Sequence, residues 1–400
     1  MKKALSFAVA LGLVAGLATS AMAEDMLSVK GEARIRGAYI NNGADFDDET
    51  ADKVQEMDQR YRLKAELKIN DDVKVDTRIV LVDDQAFGDT STDDGEGTHT
   101  VDRFNMTINM LGGTYIIGRQ DLSWGNKFLA WGEQSDRIVG VYKAGDLTFG
   151  GYLQKLHEGD TDVLVRQGTG DGDVDVYAAF LMGQAGDTKY GILGNYVYVD
   201  PIDADSMGGQ LIDAFVNTKI GAAALMGEFV YGGGDTMENS NGDAWYGAFV
   251  GGAVDINALT VKGLVAYFDK NEGQTGVSNF RSCDNDFAPS MLIGTCQETA
   301  IINFGGTTGS SPDASTYLVG AGADFKINDK LTVGALVGYL MANDDTGGDD
   351  ATLIEYDLTA SYALAQNATY KIGVALGSPD GMSPADDAAL AVGHSIEVAW

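Results

Sequence analysis

A chain of 400 residues with 59 Asp+Glu against 27 Lys+Arg, net charge −32, excludes nucleic acid as a ligand, because phosphate binding needs a basic face. A mean hydropathy of −0.08 is too polar for a helical membrane protein, and 53 Gly against 5 Pro points to one architecture of many short elements. Two cysteines exclude a cysteine-rich scaffold, an iron–sulfur cluster and a four-cysteine zinc site.

Residues 1–23 read as a secretory signal: Lys2 and Lys3 lead an apolar stretch from Ala4 to Ala18, and Ala21-Met22-Ala23 supplies a small-residue cleavage pattern before Glu24. The mature chain, 24–400, contains no run of roughly 18 uncharged apolar residues that could span a membrane as a helix. It shows period two instead. In 60–69, Tyr61, Leu63, Ala65, Leu67 and Ile69 share one face while Arg60, Arg62, Lys64, Glu66 and Lys68 share the other. The segment 27–39 repeats the division, and 352–362 does so again.

In chain order the pattern predicts strands near 27–40, 57–69, 73–82, 100–110, 114–119, 137–143, 147–156, 173–182, 188–199, 209–219, 221–231, 243–254, 258–268, 315–326, 331–341, 352–363, 368–377 and 389–400. Short turns such as Asn70-Asp71-Asp72 and Asn328-Asp329-Lys330 alternate with long polar loops, including 41–57, 83–99, 120–136, 157–172 and 269–314. Short connections at one rim and long ones at the other describe an all-β transmembrane antiparallel barrel of 16–18 strands, with 18 favoured. Closure is required, since lipid offers no hydrogen bonds to an open sheet edge.

The ending Leu390, Val392, Ile396, Val398, Trp400, the leader and the loop plan together resemble the porins of Gram-negative outer membranes over nearly the whole mature chain. The resemblance implies passage of ions and small hydrophilic solutes in the bacterial outer membrane, assembly as a homotrimer, and contact with lipid and lipopolysaccharide. It also implies a C-terminal aromatic, here Trp400 in place of the usual Phe, that the assembly machinery recognises. Two rivals are a substrate-specific channel, for an anion, a carboxylate or a sugar, and a structural or adhesive barrel.

No catalytic set is visible, because only His99, His157 and His394 exist. Nor is a cofactor or metal called for. Asp171, Asp173 and Asp175 have calcium-loop spacing, but Met182 stands where the bidentate Glu belongs. Cys283 and Cys296 share one loop outside the reducing cytoplasm, which favours a disulfide, with two buried thiols as the alternative.

Alternation assigns the lumen a basic arc of Arg34, Arg36, Arg60, Arg62, Lys64, Arg78 and Arg103. Later strands contribute Asp173, Asp175, Asp213, Glu228, Asp324, Glu355, Asp357 and Glu397, giving an acidic opposite wall with Lys326 as the main exception. Opposed walls favour a selective pore, and the total charge leans toward cations. The loop 120–136 differs from the others, with Trp124, Phe128, Leu129 and Trp131 among Asp121, Glu133 and Asp136. Such apolar bulk is expected to fold inward onto the barrel wall. In the resembling family the third loop does so, its acids facing wall arginines; strict alternation leaves Arg119 pointing outward.

Overall fold

A computed structural model describes residues 26–42, 49, 53–87, 100–128, 133–157, 173–200, 206–235, 244–269, 290–291, 314–344, 350–381 and 387–400. The leader 1–23, Trp131, Cys283 and Cys296 lie outside them. Every regular element described is a strand. These are β1 (Leu27–Asn41), β2 (Val54–Lys68), β3 (Val73–Ala86), β4 (Thr100–Met110), β5 (Gly113–Leu122), β6 (Glu133–Ala144), β7 (Leu147–His157), β8 (Asp173–Ala185) and β9 (Thr188–Asp200). The second half continues with β10 (Met207–Ile220), β11 (Ala223–Gly233), β12 (Trp245–Ile256), β13 (Leu259–Phe268), β14 (Ala314–Lys326), β15 (Leu331–Asp344), β16 (Ala351–Ala365), β17 (Ala368–Asp380) and β18 (Ala389–Ala399).

Each strand pairs antiparallel with its chain neighbours, and β1 pairs with β18 from Glu32 opposite Ala399 to Asn41 opposite Leu390, closing an 18-stranded barrel. Pairing around a closed ring satisfies strand backbone groups that lipid could not. At the seam, the Trp400 and Gly31 backbones exchange hydrogen bonds of 2.9 and 3.0 Å, and the Trp400 indole covers Gly31 beside Tyr61. The parity read from the sequence holds on β1 and β2, where Arg34, Arg36 and Arg62 turn inward and Val29, Ile35 and Tyr39 face outward. His394 lies on the outward parity, over Gly37.

Two turns are built alike. Lys68-Ile69-Asn70-Asp71 and Lys326-Ile327-Asn328-Asp329 each pair the lysine with the aspartate, at 2.8 and 3.0 Å. Each asparagine oxygen accepts two backbone N–H bonds of 2.8–3.0 Å from the residues that follow. In the first of these exposed turns the Lys68 ammonium holds the Asp71 carboxyl below its ordinary range.

Register shifts interrupt the ladder on four strand pairs, and two of them bear on the arginine face. Tyr61 lies opposite Val82 and Arg62 opposite Val80, so Leu81 is the extra residue; Arg78 faces Arg103 while Ile79 faces Val101, so Asp102 is extra. Past each bulge the parity flips, which brings Asp83 and Asp102 to the arginine face.

Strands β5 and β6 run further than the sequence suggests, so Asp121, Glu133 and Asp136 stand on strands and the connecting segment shrinks to 123–132. The pairing of β4 with β5 stops at Phe104 opposite Arg119, and that of β6 with β7 stops at Asp136 opposite Lys155. The β5–β6 ladder continues to Leu122 opposite Glu133. Beyond these points the backbone ladder of the hairpin has no neighbouring strand, and its end is tied to the wall by side chains, Gln134 donating to Asp102 at 3.2 Å. Gly118, at φ +118, marks the start of this stretch, since a Cβ there would meet the Phe104 carbonyl.

Candidate functional site in the lumen

The basic arc forms as a ladder of ion pairs across neighbouring strands. Arg36 Nε reaches both Asp58 oxygens at 3.0 Å, Arg62 reaches Asp83 at 3.0 Å, and Arg78 Nε reaches Asp102 at 2.7 and 2.9 Å. Arg103 pairs with Asp121, which also stands 3.7 Å from Arg78. Glu32 lies 3.6–3.8 Å from Arg60, Arg62 and Lys64. Arg34, Arg36, Arg62 and Arg78 are buried, whereas Lys64 remains half-exposed to the lumen. Buried guanidinium groups need such partners, because an isolated charge out of water is prohibitive.

Across the barrel the inward face is apolar. Val176, Phe180, Leu193, Phe215, Val230 and Phe249 share it on β8–β12, and segment 123–128 covers it. Trp124 packs on Phe180 and Phe215 with ring centroids 6.0 and 5.5 Å away, and its Nε1 donates to Asp213 Oδ1 at 2.7 Å. Phe128, 1% exposed, stacks between Phe249 and Phe268 at 5.0 and 5.1 Å. Between them, the Asn126 backbone N–H donates to Glu228 and its side-chain amide donates to Gly227 O at 3.1 Å. Gly125 adopts φ +55 beside the Glu228 carboxylate.

A second segment docks in the same manner. Ser290 Oγ donates to Glu355 Oε2 at 2.5 Å and the Met291 N–H donates to Asp357 Oδ2 at 3.0 Å, with the Met291 side chain buried. Asp213, Glu228, Glu355 and Asp357 are thus covered by docked segments rather than facing an open passage.

Several sequence expectations change. Asp121 meets Arg103 and Arg78, but Asp136 points outward and lies 3.8 Å from Arg119, away from the arc. Asp173 and Asp175 also face outward, each 3.1 Å from Lys155. Their inward neighbour is Val176, because beneath the docked loop the lumen face is as apolar as the outer one. The later wall is not simply acidic either: Lys143, Lys189, Lys219, Lys262 and Lys371 share the inward parity of buried residues on their strands. Arg137 joins the inward basic residues, on the parity that alternation along β6 gives it. It is buried inward, donates to Gln154 Oε1 at 2.7 Å and Gln120 O at 2.8 Å, and lies over Tyr152. Among the described residues no cluster of three His, Cys, Asp or Glu is arranged to hold a metal ion.

OpdK of Pseudomonas aeruginosa, solved with vanillate, superposes with a TM-score of 0.57 at 12% identity, covering 93% of this chain and 99% of that one. An anion-selective porin from Comamonas acidovorans gives a TM-score of 0.49 at 10% identity, over 94% and 99% of the two chains. No curated protein matches the sequence. Residues 7–381 match the Gram-negative porin family, and the chain, an 18-stranded outer-membrane barrel, belongs to it.

Proposed function

We propose that this porin passes ions and small hydrophilic solutes by passive diffusion, with segment 123–132 setting the narrowest section of its water-filled channel. The observation that supports this reading is the docking of Trp124, Asn126 and Phe128 on strands that lie across the lumen from β5 and β6. Asp121, Arg103 and Arg78 then flank the passage on the opposite side. The channel works without catalysis and without a cofactor. Planar-bilayer recording tests it: deletion of 123–132 raises single-channel conductance and relaxes solute-size exclusion, whereas unchanged conductance would place the segment outside the pore.

The biological unit in this reading is a homotrimer. Arg119, Asp136, Lys155 and Asp175 are opposite one another in register across β5–β8 and face outward, beside a cavity of about 480 Å³ lined by Ile117, Ile138, Leu153 and Tyr177. Charged side chains on an outward face are costly against hydrocarbon, so this sector suits a protein neighbour. Lipopolysaccharide around the remaining wall, the assembly machinery reading Trp400, and a Cys283–Cys296 disulfide in the loop after β13 complete the proposal.

A further inference from the structure

The whole chain carries a net charge of −32, yet one sector of its inward wall presents lysines. The inward parity on β6 carries Lys143 with Arg137, on β9 Lys189 with Leu193, and on β10 Lys219 with Asp213. Each of these lysines stands one residue from the short-turn end of its strand, and each is exposed. Among the described residues none of the three has an acidic partner. From β6 to β9 the inward parity carries one acid, Glu133, at the long-loop end of β6 and far from the lysines, and on β10 the inward acid, Asp213, is bonded to Trp124. The turn acids Asp146 and Asp187 lie beside Lys143 and Lys189 in the chain but form no ion pair with them among the described residues.

Elsewhere around the same end most cations are matched by acids, and Asp255 on β12, bonded to Thr260, adds an inward acid. Lys262 pairs with Asp324 at 2.9 Å, Lys371 with Glu397 at 3.0 Å, and Lys74 with Glu66 at 2.9 Å. Lys64 adds a half-exposed cation 3.8 Å from Glu32. The acids that could offset this excess, Glu228, Glu355 and Asp357, lie beneath the docked segments. Much of the acidic surplus of the sequence therefore lies in the long loops and in covered anchors, and the wall acids at this end other than Asp255 are paired with cations.

We infer that Lys143, Lys189 and Lys219 form a basic sector at the short-turn mouth that makes this channel prefer anions, with small inorganic anions and short carboxylates as the favoured solutes. The inference rests on the porin reading and reverses the lean toward cations that net charge alone suggests. A wall of one sign inside a low-dielectric channel acts on ions at close range, whereas loop charges beyond a Debye length, about 8 Å at physiological salt, are screened.

The test is the reversal potential of the purified full chain in a planar bilayer under a potassium chloride gradient. The wild type is expected to give the anion-selective sign. A triple variant, Lys143→Glu, Lys189→Glu and Lys219→Glu, is expected to shift it to the cation side, and the milder Lys189→Gln, Lys219→Gln pair to move it part of the way. Heat-modifiable migration checks that each variant is folded. A conducting wild type with the cation-selective sign would overturn the inference and leave the porin reading intact. An anion-selective wild type whose reversal potential neither variant moves would overturn the role of these lysines. Absence of conductance in folded wild type would reject the porin reading, and the inference with it.

Discussion

The indole of Trp124 donates a 2.7 Å hydrogen bond to the buried Asp213, a residue on a strand across the lumen. It fastens the loop after β5 to the far wall at a point where aromatic packing and a polar contact coincide. Trp124→Ala removes both and leaves Asp213 without its donor. Loss of a buried aromatic of this kind typically costs about 3–5 kcal/mol. The expected outcome is a folded barrel with higher and noisier single-channel conductance; an unaltered trace would mean that the indole does not hold the constriction.

Gly125 is a second fastening point of a different kind. Its φ of +55 disfavours any L side chain, by about 1–2 kcal/mol, and its missing Cβ leaves room for the Glu228 carboxylate. Gly125→Ala should loosen the contact between Asn126 and Glu228 without touching the barrel. Limited proteolysis of the folded protein should then cut this segment faster than in wild type, with the heat-modifiable band unchanged.

The Arg36–Asp58 pair is buried and doubly bonded. Arg36→Leu strands a largely buried carboxylate, and removing one partner of such a pair costs about 3–5 kcal/mol. The folded band should convert to the unfolded one at a lower temperature. The double variant Arg36→Leu, Asp58→Leu should recover much of the loss, since the stranded charge is gone.

Arg119 and Asp136 test the outer face. If this sector packs against a neighbouring protomer, Arg119→Glu places two like charges opposite each other and should weaken the oligomer in native electrophoresis. The exchange Arg119→Asp, Asp136→Arg should restore it in part. Equal oligomer stability in all three proteins would assign the row to lipid headgroups instead.

The barrel and its strand count were legible because the outer face is apolar apart from the charged row on β5–β8, and on β1–β3 the inner face is charged. Where Arg60 alternates with Tyr61, period two has one interpretation. It fails at Leu81 and Asp102, since an extra residue in one strand leaves no mark on composition and flips everything beyond it. It also fails on β8, where Val176 and Phe180 face a docked loop rather than water, so that Asp173 and Asp175 look like the wet side. The docking of Trp124 and Phe128 could be expected from their bulk. Their partners, Asp213 and Phe249, could not, because the contact joins residues on distant strands.

The seam between β1 and β18 makes the barrel a gauge of its own length. β1 is made before the other strands, yet one of its two edges has no partner until Leu390 to Trp400 arrive. A variant truncated before Ala389 would present two open edges to the bilayer, and in hydrocarbon each unpaired backbone group costs several kcal/mol. Such a chain has no stable half-built form in the membrane. A nonsense mutation near the 3′ end of the coding sequence should therefore yield periplasmic protease fragments rather than a leaky pore, so that incomplete translation does not permeabilise the cell.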